Sequence, residues 1–103
     1  MIYYTREIAR SLGPYGIRVN AIAPGVVLTD ATIRVVSGGL PIAEARERLA
    51  SNKFVATNIS VAALRRLVEP TDLAGVAAFL ASDDAAAITG QVLVVDAGIE
   101  MRG

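Results

Sequence analysis

The sequence contains no cysteine, no histidine and no tryptophan. Without cysteine there is no disulfide framework, and without histidine there is no histidine-dependent catalytic triad. The same two absences remove the usual ligands of zinc and copper, so we expect no metal site. Ten basic and ten acidic residues are interspersed and cancel to a net charge of zero. We therefore expect no nucleic acid among the partners, because a nucleic-acid-binding domain carries a basic surface.

Long apolar runs and an apolar leader are also missing. The longest run, from Leu73 to Ala81, has nine residues, well short of the roughly 20 that cross a bilayer. A charge occurs as early as Arg6, unlike in a secretory leader. We therefore expect a cytoplasmic protein with no membrane partner. With 103 residues, of which 53% are apolar, the chain is predicted to form one small domain whose apolar surface stays partly exposed or meets a partner.

Apolar periodicity predicts an α/β fold. Helical spacing occurs at residues 2–12, where Gly13-Pro14 ends the segment, and again at residues 73–80 after an acidic start that contains proline. Residues 17–23 and 91–95 are runs rich in apolar and β-branched side chains, which is typical of buried parallel strands. A strand, a helix and a strand in this order predict a parallel crossover.

The connection between the two strands, residues 24–90, is much longer than a parallel crossover needs. Weaker helical patterns at residues 42–49 and 61–67 lie within it. Ser37-Gly38-Gly39 and Pro41 flank the first of these patterns and would allow it to swing. Two interpretations are open at this point: a mobile lid over a binding site, or a helix pair packed permanently on the sheet.

Two parallel strands do not form a stable sheet by themselves. The strand at residues 17–23 is predicted to be buried on both faces and both edges, yet the chain offers it only one neighbour. The helical pattern at the start of the chain also begins at once, with no capping residue before it. We therefore expect the chain to be incomplete as an independent domain, with part of its sheet supplied by other polypeptide.

The six residues after the first predicted strand, Pro24-Gly25-Val26-Val27-Leu28-Thr29, carry the strongest functional signal. In open α/β sheets, ligands bind beyond the carboxyl ends of the strands. Gly25 lets a flat ring lie close to the backbone, and the Thr29 hydroxyl can donate and accept hydrogen bonds. The loop therefore favours a planar, polar ligand. A plain Pro-Gly turn is the alternative.

Three segments of the chain form a recognisable series, namely RVNAIAPG at 18–25 with Thr29, RLVEPTDLA at 66–74, and ITGQVLVVDAG at 88–98. In order and spacing they resemble the final third of the short-chain dehydrogenases/reductases. The resemblance implies that residues 1–103 are the C-terminal part of a Rossmann-type doubly wound parallel sheet, comprising its last two strands with their flanking helices. Residues 30–68 would then be the region of the substrate lid.

The resemblance further implies a cofactor, NAD or NADP, and roles for four residues of the loop. Pro24 and Gly25 would pass beneath the nicotinamide. Val27 would contact the carboxamide through its backbone, and Thr29 would bond the carboxamide or the adjacent phosphate through its hydroxyl. The parent enzyme would transfer hydride between the nicotinamide and a small carbonyl or alcohol substrate.

The family's catalytic residues are not found in this sequence. A tyrosine that acts as general acid or base needs a positive neighbour. No tyrosine here has a lysine four residues later, because the only lysine, Lys53, is preceded at that distance by Leu49. No glycine-rich turn follows a strand and opens a helix, so the pyrophosphate-binding fingerprint is missing. We therefore assign no catalytic residue, and expect cofactor binding of the parent enzyme rather than of this chain alone. Ala97 stands where the family usually has a second glycine after the aspartate.

A non-catalytic oligomerisation or interaction module derived from the family is the alternative function. In the family, the edge strand and the helix before it commonly form subunit interfaces, and here these are residues 92–95 and 73–81. We accordingly expect a homo-oligomer, either a dimer or a tetramer. The predicted lid carries no charged cluster that would define the substrate.

Overall fold

The computed structural model describes residues 2–100, and the predicted α/β class is confirmed. These residues divide into two compact units, one formed by residues 2–23 and 71–95 and the other by residues 24–70 and 96–100. In chain order the described elements are α1 (Ile2–Leu12), β1 (Ala21–Pro24), α2 (Asp30–Val36), α3 (Ile42–Glu47), α4 (Lys53–Val61), α5 (Pro70–Ala81) and β2 (Val92–Val95).

The first unit contains the two-stranded parallel sheet of β1 and β2. Both strands are shorter than predicted, because side chains take over the pairing just before them. Asn20 Nδ2 donates to the Ile88 carbonyl over 3.0 Å, and Asn20 Oδ1 accepts from the Gln91 N–H over 3.1 Å. The Val19 N–H donates to Thr89 Oγ1 over 3.0 Å. The first four residues of the strand predicted at 17–23 are therefore not strand.

The two long helices of this unit form where the sequence predicts them. α1 is followed by a 3-10 turn, Gly13–Tyr15, and then by Gly16 at φ 77°, a left-handed conformation that suits glycine. At the end of α5, Arg18 Nη1 donates to the Leu80 carbonyl over 2.6 Å. No side chain of α5 is buried, so the apolar surface expected to stay exposed is present. None of the helices within residues 2–100 combines the length and apolarity that crossing a bilayer requires.

The second unit is built around a small apolar core. α2 and α4 begin at capping residues: the side chains of Thr29 and Asn52 accept the N–H groups of Thr32 and Val55. Each cap satisfies a donor that the first helical turn leaves unpaired. The apolar side chains buried among the described residues of this unit are those of Ile33, Ala45, Val55, Ala62, Leu67 and Val68.

Of the two helices predicted in the long connection, one prediction is wrong and the other is confirmed. Residues 62–67 are not helical, since α4 ends at Val61. Arg65 has φ 53°, which breaks helical geometry, and the Ala63 N–H donates to the Gly98 carbonyl over 3.2 Å rather than to its own helix. The helix predicted at 42–49 forms as α3 with a following 3-10 turn.

Candidate functional site

The loop predicted to bind a ligand, residues 24–29, is held in its middle by Val68. Val27 and Val68 form an isolated parallel bridge. The Leu28 N–H donates to the Val68 carbonyl over 2.8 Å, and the Val68 N–H donates to the Val26 carbonyl over 3.2 Å. Val68 is only 2% exposed, so these bonds are largely shielded from water. They fix the backbone of the loop on one side.

Gly25 is fixed from another direction by Asp96. A Cβ atom on Gly25 would lie 2.7 Å from Asp96 Cβ and 3.1 Å from Asp96 Cα, which is closer than side-chain carbons can approach. Gly25 is nevertheless exposed. One face of its backbone therefore lies against Asp96, and the other face is open to a ligand. Close packing is thus a reason for glycine at this position that is independent of any ligand.

Asp96 is 8% exposed, and backbone donors of its own turn bind its carboxylate. The Glu100 N–H donates to Oδ2 over 2.8 Å, and the Gly98 N–H donates to Oδ1 over 2.9 Å. Such bonds, the one from Glu100 foremost, hold the pKa of Asp96 below its ordinary value, against the opposing effect of burial. The carboxylate is therefore ionised at neutral pH, and it stabilises one conformation of the turn.

The turn at Asp96 is also bonded to the segment that follows α4. The Leu64 N–H donates to the Ala97 carbonyl over 3.0 Å, and the Ala63 N–H donates to the Gly98 carbonyl over 3.2 Å. Ala97 and Gly98 both have a left-handed backbone, with φ 58° and 83°. A Cβ on Gly98 would lie 2.5 Å from Ala63 Cβ. Glycine is therefore required at position 98, whereas alanine at position 97 is strained.

Thr29 presents a half-buried hydroxyl at the end of the loop, where α2 begins. Its Oγ1 accepts the Thr32 N–H over 3.1 Å and lies 3.0 Å from the Thr32 hydroxyl oxygen. When Thr32 donates in that hydroxyl pair, the hydrogen of the Thr29 hydroxyl is left to donate to a ligand. The neighbouring Asp30 is paired with Arg46 over 2.7 Å. Its negative charge is thereby partly compensated.

Val27 adds a backbone donor to the same loop. Its carbonyl accepts the Thr29 N–H over 2.9 Å. Its own N–H, however, finds no hydrogen-bond partner in the part of the chain that the structure describes. A half-buried N–H without a partner suits a ligand oxygen. Together with the Thr29 hydroxyl, it can serve a neutral amide group of a ligand without any charged residue.

Comparison with known proteins places the chain in a family. The family described as enoyl-(acyl carrier protein) reductase matches residues 1–100. The chain is 45% identical over 94 residues to L-rhamnose 1-dehydrogenase (NAD(P)(+)) of Azotobacter vinelandii, covering 91% of this chain and 32% of that protein. A crystal structure described as a short-chain dehydrogenase/reductase from Brucella melitensis superposes with a TM-score of 0.74 at 30% identity, covering 98% of this chain and 35% of that one.

The chain belongs to the short-chain dehydrogenase/reductase family. It spans about one third of the length of the relatives it matches. Another member, 4-hydroxyisoleucine dehydrogenase complexed with NADH, superposes with a TM-score of 0.69 at 33% identity, covering 95% of this chain and 35% of that one. The expectation that the chain is part of a Rossmann-type sheet is confirmed by its two-stranded parallel sheet and by its similarity to these structures.

The four site residues predicted from the resemblance to short-chain dehydrogenases/reductases all lie in the 24–29 loop. Their roles in cofactor binding stay predictions. The sequence pattern does not single out the two residues that hold this loop, Val68 and Asp96. An aspartate followed two residues later by glycine does indicate a turn in which the side chain accepts a backbone N–H. No local signal points to Val68, because its pairing joins segments that are far apart in the sequence.

Proposed function

We propose that this chain supplies the nicotinamide side of the cofactor site in an NAD(P)-dependent oxidoreductase. When bound, the nicotinamide supplies the hydride chemistry, in exchange with a small carbonyl or alcohol substrate. Relatives whose names carry NAD(P)(+) or NADH, the L-rhamnose and 4-hydroxyisoleucine dehydrogenases, support this reading of the family. The chain contributes binding and orientation, and the catalytic groups belong to other polypeptide of the same enzyme.

One observation carries the proposal: the loop is held by its bonds to Val68, yet the Val27 N–H and, when Thr32 donates in their hydroxyl pair, the Thr29 hydroxyl are left as donors among the described residues. An amide oxygen can accept from either of them. Exposed Pro24 and the open face of Gly25 would lie beneath the ring. Residues 30–68, which follow the loop directly and include exposed apolar side chains such as Val35, would form the substrate lid.

A chimaeric enzyme tests the proposal. In L-rhamnose 1-dehydrogenase of Azotobacter vinelandii, the matching segment of 94 residues is replaced by this chain. We expect the chimaera to oxidise L-rhamnose, followed by the absorbance of the reduced dinucleotide, and to bind NADH in a fluorescence titration. A chimaera that folds but shows no NADH binding would refute the proposed role.

The Thr29 hydroxyl is tested in the same chimaera. Thr29→Val removes the hydroxyl, which also caps α2; the loss of one hydrogen bond of ordinary strength to the cofactor should by itself weaken NADH binding about tenfold. Thr29→Ser keeps the hydroxyl and should bind NADH like the original. Thr57→Val is the matched control, because Thr57 is exposed on α4. Equal affinities of the Val and Ser variants would argue against a hydroxyl contact with the cofactor.

A second candidate function, an interface between copies of the chain, is favoured by apolar exposure in the first unit. Phe79 on α5 is 44% exposed and Val94 on β2 is 46% exposed. Such side chains gain free energy when a partner covers them. We expect light scattering to detect a homo-oligomer that Phe79→Ser weakens and that Phe54→Ser, with a side chain 47% exposed on α4, leaves unchanged. A native chain that stays monomeric at all concentrations would exclude this function.

A further inference from the structure

Three sets of contacts in the second unit form a closed circuit around the 24–29 loop. Gly25 lies against Asp96. The turn that begins at Asp96 accepts the backbone N–H groups of residues 63 and 64. Val68, a few residues further on, is bonded on both sides to the loop through Val26 and Leu28. If one of these three sets of contacts is displaced, the other two must therefore shift as well, because these positions are closely packed.

The Asp96 carboxylate is the part of the circuit that a small chemical change can break. Its two oxygens accept from two different backbone N–H groups, those of Gly98 and Glu100. An asparagine has the same shape but only one acceptor oxygen, so its amide nitrogen would face one of these donors. Two N–H donors, one from the amide and one from the backbone, would then face each other at a residue that is 8% exposed. A buried donor left without an acceptor is costly there. The turn would have to reorganise.

We infer that Asp96 is a positioning residue for the cofactor loop. This inference rests on the proposed function, since it assigns to Asp96 the placement of the Val27 N–H and the Thr29 hydroxyl. The carboxylate acts at a distance, through the contact with Gly25 and through the turn that holds the 63–68 segment against the loop. We assign Asp96 no contact with a cofactor atom, since each of its two oxygens already accepts a backbone N–H of the turn.

The first test uses the full chain without cofactor. In Asp96→Asn, we expect NMR resonances of the Leu28 and Thr29 amides to shift and hydrogen exchange at Leu28 and Val68 to accelerate about tenfold or more. Asp84→Asn is the matched control, because this aspartate is exposed in the first unit, and it should leave those amides unchanged. Shifts confined to residues 96–100 would overturn the inference.

Hydrogen exchange of the unmodified chain keeps the inference testable if the variant does not fold. The circuit predicts that the amides of Leu28 and Val68 open together with those of Gly98 and Glu100, with equal free energies of opening. Exchange at Leu28 and Val68 that is faster by orders of magnitude than at the turn would show that the turn does not hold the loop. That result would overturn the inference without any substitution.

The second test places Asp96→Asn in the chimaeric rhamnose dehydrogenase. A positioning role predicts that KM for the dinucleotide rises about tenfold while KM for L-rhamnose is unchanged, and that Asp84→Asn alters neither. Equal changes in both constants, or no change, would contradict the inference. If the original chimaera does not bind NADH, the proposed function fails, and the cofactor role of Asp96 fails with it. The structural coupling between the Asp96 turn and the 24–29 loop, which the first test measures in the free chain, is judged separately.

Discussion

The Gly25 backbone and the Asp96 side chain are in such close contact that a methyl group on Gly25 would lie 2.7 Å from Asp96 Cβ. This contact joins the residue after β1 to the residue after β2. It therefore connects the two loops that leave the sheet at the carboxyl ends of its strands, where ligands bind in open α/β folds.

The first prediction is that Gly25→Ala destabilises the free chain. The added Cβ has to displace Asp96, and overpacking of this kind costs roughly 1–3 kcal/mol. Gly13→Ala is the matched control, because a Cβ there would meet nothing within 4 Å. Chemical denaturation in the absence of any dinucleotide measures both. If Gly25 were needed only for contact with a flat ligand, the two variants would be equally stable.

Ala97→Gly should stabilise the chain. Ala97 has φ 58°, a left-handed conformation that costs a residue with a Cβ about 1 kcal/mol relative to glycine. Part of the gain is offset by the greater freedom of glycine in the unfolded chain, so we expect about 0.5 kcal/mol. Thermal unfolding measures the change. Ala56→Gly in α4 provides the opposite control and should lower the melting temperature, since a helix interior disfavours glycine.

The fold could be predicted from the sequence wherever the signal is local. The stop at Gly13-Pro14 and the start at Pro70 lie within a few residues of the helix ends they define, and α1 and α5 form as expected. The helix predicted at 61–67 fails because Arg65 has a left-handed backbone. That conformation goes with bonds to the distant turn at Asp96, which no periodicity can indicate.

The candidate site divides in the same way. Pro24, Gly25 and Thr29 are recognisable because a strand followed by Pro-Gly and a hydroxyl is itself a local pattern. The supports of that loop, Val68 and Asp96, lie far along the chain and touch it only after folding. The sequence therefore suggests candidate ligand-binding residues, whose roles stay predictions, but it does not indicate which residues hold them in place.

Acidification should destabilise the chain in part through Asp96. Its pKa in the folded state is lowered from an ordinary value of 3.8, chiefly by the N–H of Glu100. The stability it contributes is therefore fully present above that value and is lost as the pH falls through the folded pKa. Denaturant midpoints at a series of pH values below about 5 should fall less steeply for Asp96→Asn than for the native chain. Asp84→Asn should keep the native slope, and an equal slope in all three proteins would contradict the assignment.

Asn52 joins two helices of the second unit, and its two functions can be separated. Its Oδ1 accepts the Val55 N–H over 3.1 Å and caps α4, while its Nδ2 donates to the Val36 carbonyl at the end of α2 over 2.9 Å. Asn52→Ser retains a capping oxygen but cannot donate to Val36, so it should cost about 1 kcal/mol. Asn52→Ala loses both functions and should cost about 2 kcal/mol. Urea denaturation gives the two values, and equal losses would mean that the cap of α4 contributes nothing to stability.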